Sequence, residues 1–344
     1  MLQSTRGLAL PLLLVILVLS CGSHNKGTDT PVNPNVEPEE KCKYHNPVVN
    51  QSLPDPTVMK DGDGYFYLYA TENIRNTPIY RSRNLRDWEF VGTAFTDRTR
   101  PTFVQNGGIW APDINKIGDK YVLYYAMSTW GGEWECGIGV ATADDPKGPF
   151  TDHGPLMISK EIGVQNSIDA NYVEEGGHKY LFWGSFRGLY AIELSDDGLS
   201  LKPGAEKRQV AGTAFEGVYI HKRDGYYYMF ASVGSCCEGV KSTYQLVVGR
   251  SCELMGPYVA KDGKPMMENG YTLVIGRNNK WVGNGHCSEI VSDDAGQDWI
   301  LYHGVDVEDP SGRKLLMDRV VWKDGWPEVK GGSPSLSHPC PVFK

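Results

Sequence analysis

The sequence predicts an all-β protein, a five-bladed β-propeller, and two observations carry that prediction. The first is composition: 344 residues include 40 Gly and 21 Pro, and 11 % are aromatic. Such a chain favours short strands joined by turns over long helices. The second is an internal repeat. Five segments share one plan: a polar residue, a short β-prone run, a turn with Gly or Asp, then an aromatic strand. They are "DPTVMKDGDGYFYLYA" from Asp55, "DINKIGDKYVLYYA" from Asp113, "DANYVEEGGHKYLFWGS" from Asp169, "EGVYIHKRDGYYYMFAS" from Glu216 and "HCSEIVSDDAGQDWILYH" from His286. Their starts lie 58, 56, 47 and 70 residues apart, too long for a solenoid coil and right for four-stranded blades. A pair of β-sandwiches is the alternative, and it leaves five similar starts unexplained.

Taken in chain order, the N-terminus comes first. "MLQSTRGLALPLLLVILVLSCGS" holds one Arg, an apolar run from Leu8 to Leu19, then Cys21. The run is too short to span a bilayer and reads as an export signal over residues 1–20. "VLSC" resembles a bacterial lipobox, which would make Cys21 a lipidated N-terminus and the protein a membrane-anchored lipoprotein, periplasmic or on the cell surface. Residues 21–41 are polar and Pro-rich and read as a flexible tether. The folded domain is expected over 42–344. Net charge is −8 with no block of Lys or Arg, which argues against nucleic acid or an anionic membrane surface as a partner.

Seven cysteines follow Cys21. An odd number in an oxidising compartment leaves at least one free or paired between chains, and the spacings match no zinc pattern. Cys42 and Cys340 lie near the ends of the folded part, where a disulfide would tie the termini. The adjacent Cys236 and Cys237 read as buried thiols.

The repeat gives chemistry to scattered residues. The first strand of each propeller blade lines the central channel, so Asp55, Asp113, Asp169, Glu216 and His286 are expected to converge on one polar pocket. The competing reading is that blade-start acids cap turns or bond backbone amides. Glu216 stands in the otherwise apolar "AFEGVYI", and burying a lone carboxylate is costly unless it is paired or faces a cavity. Glycoside hydrolysis needs such a group as a proton donor and a second carboxylate to activate water. Apolar neighbours and a nearby acid would keep Glu216 protonated near neutral pH. Asp55, between two prolines in "LPDPT", has a stiffened backbone suited to a general base. Asp169 would hold the Glu216 proton through like-charge coupling. Aromatic faces stack on sugars, which makes Trp110, Trp130, Trp134, Phe186 and Tyr125 candidate platforms, Trp110 and the "STWGGEW" loop foremost.

"LPDPTV", "WAPDI", "NSIDA" with "GSF", "FEGVYI" with "GYYYMFASVGSCCEG", "STYQLVVGRS" with "MGPYV", and "GHCSEIVSDDAGQDWILYH" together resemble glycoside hydrolase family 43, and within it the arabinan endo-1,5-α-L-arabinosidases, from about Leu53 to Pro327. The resemblance implies a five-bladed propeller and an inverting mechanism, with Asp55 as general base, Glu216 as general acid and Asp169 as pKa modulator. It implies substrate contacts at Asn166, Ser167 and Ser185, with Gly131 in a loop that skirts the sugar. It also implies a calcium ion at the channel residue His286, held mostly through water. Ala170 and Cys287 depart from the family pattern of Pro after the modulating Asp and Asn after the channel His. The expected partner is a plant cell-wall polysaccharide, arabinan or arabinoxylan. An exo-acting α-L-arabinofuranosidase or β-xylosidase of the same family is the nearest alternative, and a non-catalytic glycan-binding lipoprotein is a further one.

Overall fold

The Gly- and Asp-containing turns work as hairpin devices. Asp224 and Gly225 both adopt positive φ, 50° and 80°, the combination a two-residue turn needs to match the twist of its flanking strands. Hairpins of this kind build five antiparallel blades, four of them four-stranded and the fifth six-stranded, in a computed structural model that describes residues 42–344. The expected signal peptide, Cys21 and the tether lie outside the described residues. Blade 1 is Thr57–Lys60, Phe66–Tyr69, Pro78–Ser82 and Glu89–Thr93. Blade 2 is Gly108–Ile117, Lys120–Ser128, Gly137–Ala143 and Thr151–Ile158. Blade 3 is Asn171–Glu175, His178–Trp183, Leu189–Glu193 and Arg208–Ala211. Blade 4 is Glu216–Arg223, Tyr226–Val233, Gln245–Ser251 and Thr272–Ile275.

Blade 5 is built from both ends of the domain. Trp281–Gly285, Asp298–Asp306 and Lys314–Lys323 come from the C-terminal part, and Val49–Ser52 from the N-terminal part pairs with Lys314–Lys323 as the fourth strand. Lys43–His45 pairs in turn with Ser337–Pro339, and a Cys42–Cys340 disulfide, Cα atoms 5.5 Å apart, fastens the closure. The apolar side chains pack between neighbouring blades. One cluster joins Phe182 and Leu189 of blade 3 to Met229 and Val247 of blade 4, and another joins Tyr69 and Ile79 of blade 1 to Ile114 and Leu123 of blade 2. Among the described residues no helix is long and apolar enough to cross a membrane.

A ring of side-chain to backbone hydrogen bonds closes the blades around the axis. The Thr57 hydroxyl accepts from Ile114 N–H at 3.3 Å, Asp113 Oδ2 from Tyr172 N–H at 2.7 Å, and Asn171 Oδ1 from Ile220 N–H at 3.0 Å. The Tyr219 hydroxyl accepts from Ile290 N–H at 3.1 Å, and Glu289 Oε2 from Val58 N–H at 2.8 Å. Each blade thus holds the inner strand of the next, and the fifth holds the first.

The cysteines depart from expectation in one place. Cys236 and Cys237 are bonded to each other, in a loop that leaves the core after Val233, rather than being buried thiols. The apolar strand ends at Val233, and Gly234, with φ of 87°, turns the chain outward. Cys136 and Cys287 are free thiols and both are buried.

Candidate active site

One backbone feature recurs in or beside the inner strand of every blade. Asp55, Ala111, Asp169, Gly217 and His286 all have positive φ, between 37° and 61°, a conformation that non-glycine residues hold only when their surroundings fix it. Aligned on this kink, the side chains of Asp55, Asp169 and His286, with Glu216 one residue before Gly217, lie at one level of the channel. Asp113 does not join them. It stands two residues past Ala111, at the level of Thr57, Asn171 and Tyr219, where it bonds Tyr172 N–H and accepts from Asn115 Nδ2 at 2.8 Å. The expected five-fold convergence is therefore a cluster of four, and Asp113 belongs to the ring that joins the blades.

Asp55 is buried in a cationic setting. Its Oδ1 accepts from Arg313 Nη1 at 2.8 Å, its Oδ2 from the Thr71 hydroxyl at 2.6 Å, and His286 Nδ1 lies 3.4 Å from Oδ1. Its backbone N–H donates to His303 Nδ1 at 3.1 Å. Burial alone would raise the Asp55 pKa. The Arg313 guanidinium foremost outweighs burial and holds the carboxyl well below its usual range.

The other two acids are driven the opposite way. Burial raises Glu216, against hydrogen bonds from Tyr244 and Ser185, the latter donated to Oε2 at 2.7 Å. Burial, then the Glu216 and Asp55 charges, raise Asp169, whose Oδ2 accepts from Gly217 N–H at 3.1 Å. Adjacent carboxyls that cannot both ionise share a proton. The site thus sets one carboxyl whose pKa is pushed down beside a pair whose pKa values are pushed up and that shares a proton.

Around this core, Asn166 Nδ2 donates to the Ser185 hydroxyl at 2.9 Å and so steadies the donor to Glu216. Phe186 is half-buried and tied by its N–H to Phe215 O at 2.9 Å. Trp110 is half-buried and meets Trp130 edge-on, ring centroids 6.4 Å apart. Trp130 is 82 % exposed and Trp134 45 %. Gly131 is exposed with φ of 84° at the turn of the same loop.

Two expected contacts fall away. Ser167 is fully buried, its hydroxyl donating to Val164 O and accepting from Trp183 Nε1, so it shapes the loop and does not face a sugar. Tyr125 is a core residue, its ring against Phe95 and its hydroxyl on Asp152.

The protein donors at His286 do not by themselves make a calcium shell, so an ion there would take its oxygens from water, as the resemblance implies. Calcium takes six to eight oxygens, whereas His286 brings one imidazole, and the carboxylate beside it, Asp55, is engaged by the Arg313 guanidinium. Among the described residues no cluster of three or more His, Cys, Asp or Glu is placed to hold a metal.

Comparison with known proteins fits this geometry. The profile of "Glycosyl hydrolases family 43" matches residues 44–327. The chain belongs to glycosyl hydrolase family 43. It is a glycoside hydrolase with the five-bladed propeller of that family. Relatives in family 43 include the extracellular endo-α-(1→5)-L-arabinanase 1 of Bacillus subtilis, 32 % identical over 294 residues, covering 81 % of this chain and 88 % of that protein. The extracellular exo-α-(1→5)-L-arabinofuranosidase of Cellvibrio japonicus is also 32 % identical, covering 80 % and 85 %. Among solved structures, the Cellvibrio cellulosa α-L-arabinanase complexed with arabinohexaose superposes with a TM-score of 0.74 at 30 % identity, covering 82 % of this chain and 96 % of that one.

Sequence reading passed over Thr71, Tyr244, His303 and Arg313. Tyr244 and His303 lie inside quoted motifs, "STYQLVVGRS" and "DWILYH", but just before a third strand and within a second one, where the repeat gives no signal. Glu289 is likewise hidden, in "HCSEI", where it pairs with Asp113.

Proposed function

We propose that the protein is an exported hydrolase that cuts α-1,5-linked L-arabinofuranose chains with inversion. The observation that carries this reading is the convergence of three buried carboxyls on one channel, with Arg313 on Asp55 pushing that pKa down and burial pushing those of Glu216 and Asp169 up. Asp55 takes the proton of a water attacking the anomeric carbon. Glu216 gives its proton to the leaving oxygen. Asp169 keeps that proton on Glu216 until it is needed, because its own charge beside Glu216 disfavours a second anion. Thr71 and Arg313 fix the face that Asp55 turns to the water, and Asn166 acts through Ser185 on Glu216. Trp110 and the Trp130 loop provide sugar platforms beside the acids. Inversion requires the two working carboxyls to stand about 6.5–9.5 Å apart with water between them.

Arabinan as substrate is supported by the names of the relatives, one endo-acting and one exo-acting, and so is export, since both are extracellular enzymes. Anchoring through a lipid on Cys21 rests on the "VLSC" ending alone. Separating the products of linear α-1,5-arabinan over time tests the reading. Short oligomers appearing first establish endo action, and arabinose alone from the start establishes the exo alternative. Glu216→Gln is expected to lose turnover of natural arabinan at least ~100-fold, at the lower end of what general acid–base catalysis contributes. Near wild-type turnover by that variant removes the acid assignment.

A further inference from the structure

Asp55 and Glu216 come from blades 1 and 4, and no direct bond joins their side chains among the described residues. Between them stand two aromatic rings. His303 and Tyr244 are parallel, interplanar angle 6°, with centroids 5.6 Å apart, an offset stack. Both are fully buried. His303 Nδ1 accepts the Asp55 backbone N–H at 3.1 Å and lies 3.2 Å from Asp55 Oδ1, while the Tyr244 hydroxyl donates to the Glu216 carboxyl.

We propose that the His303–Tyr244 stack is a strut that sets the separation and aim of base and acid, making both rings positioning residues for the hydrolytic step. The inference rests on the assignment of Asp55 and Glu216 in the proposed function.

Three features of the molecule support it. Asp55 holds a positive φ of 54°, and its N–H has His303 as partner, so the ring fixes the kink that points the carboxylate into the channel. His303 is a neutral ring, because burial pushes its pKa down to about 4. With Nδ1 accepting, the ring proton sits on Nε2, a buried atom with no hydrogen-bond partner among the described residues. An Nδ1 that accepts the Asp55 N–H does not donate to the carboxylate, so the ring acts on Asp55 through its backbone. Finally, the backbone makes room for the stack. A Cβ on Gly285 would fall 2.5 Å from Tyr244 Cδ1, so the ring lies where only glycine allows it.

The test uses two substrates and the full-length protein. Cleavage of arabinan needs protonation of a poor leaving group, whereas a nitrophenyl arabino-oligoside leaves with little help from an acid. Tyr244→Phe keeps the stack and removes the hydroxyl on Glu216. It is expected to lower kcat on arabinan at least tenfold and leave the nitrophenyl substrate within about twofold. Tyr244→Leu removes the stack as well, and is expected to lower kcat on the nitrophenyl substrate at least tenfold too, since the base then loses its aim, with KM within about twofold. His303→Asn offers an acceptor to the Asp55 N–H but no ring to Tyr244. It should behave as Tyr244→Leu does, and it keeps the proposal testable if that variant fails to fold. Should Tyr244→Leu match Tyr244→Phe on both substrates, or His303→Asn retain wild-type kcat, the strut is overturned. Glu216→Gln separates the two levels of inference. If it loses arabinan turnover while the strut variants show no shared loss, the strut alone fails; if it keeps arabinan turnover, the acid assignment fails and the strut with it.

Discussion

Replacing Arg313 with Met tests whether Asp55 is the base held ionised by its neighbours. The guanidinium stands 2.8 Å from Asp55 Oδ1, and both side chains are largely withdrawn from water, 19 % and 10 % exposed. At an effective dielectric near 20, opposite charges about 4 Å apart attract by ~4 kcal/mol. Since 1.36 kcal/mol corresponds to one pKa unit and an opposite charge usually lowers an acid by ~1–3 units, Asp55 should rise by about that much in Arg313→Met. The Thr71 hydroxyl still donates to Asp55 Oδ2, so the rise is partial. Two consequences follow with defined signs. The base must be an anion, so the acidic limb of kcat/KM against pH moves upward by ~1–3 units, while Arg313→Lys, which keeps the charge, moves it less. The depressed Asp55 also contributes stability that is present above its unfolded pKa and lost as pH falls through its folded one. The variant should therefore lose roughly 1–4 kcal/mol at pH 7 by denaturant titration, and progressively less as pH falls through the folded Asp55 value. An acidic limb that stays where it was refutes the argument, because the electrostatic partner of the base would then be some other group.

Other perturbations give equally definite outcomes. Burial and the Asp113 charge push Glu289 up to about 8, and burial pushes Asp113 to about 6. This raised pair contributes stability that is complete below the unfolded carboxyl values and lost as pH rises through about 8. Glu289→Gln should flatten the fall in melting temperature between pH 5 and 9 by about 4 °C or more, and an unchanged slope would show that the pair holds no shared proton. Chelation with EDTA should leave melting temperature and arabinan turnover unaltered, given the donor set at His286; a loss restored by calcium would show an ion bound through water. Trp130→Ala should raise KM for arabinan several-fold with no change in melting temperature, since the ring is 82 % exposed, and an unchanged KM would remove the platform.

What the sequence made legible, and what it hid, follows from where side chains enter the repeat. Asp55, Asp169, Glu216 and His286 stand at matching repeat positions beside inner strands, so counting from one aromatic hairpin to the next finds them. Asp113 was placed by residue type, whereas the structural equivalent of Asp55 in blade 2 is Ala111, whose methyl group carries no chemical signal and whose positive φ is invisible in the sequence. The partners that tune the acids, Arg313, His303, Tyr244 and Thr71, reach the channel from other strands and loops. Their positions depend on strand register, which only the folded pairing fixes. Ser167, by resemblance, and Tyr125, as an aromatic face, read as sugar contacts because polarity and aromaticity mark both surface and interior, and burial decides between them.

The ring of five hydrogen bonds, from Thr57 through Asp113, Asn171, Tyr219 and Glu289 back to Val58, has no beginning. Chain order enters only at the seam in blade 5, where the two ends meet at Cys42 and Cys340. A chain joined across that seam and opened instead in an exposed hairpin, such as the one at Asp224 and Gly225, keeps every bond of the ring. Blade order is thus a cyclic permutation, and the place where translation starts is a matter of ancestry, while the catalytic centre depends only on which blade neighbours which.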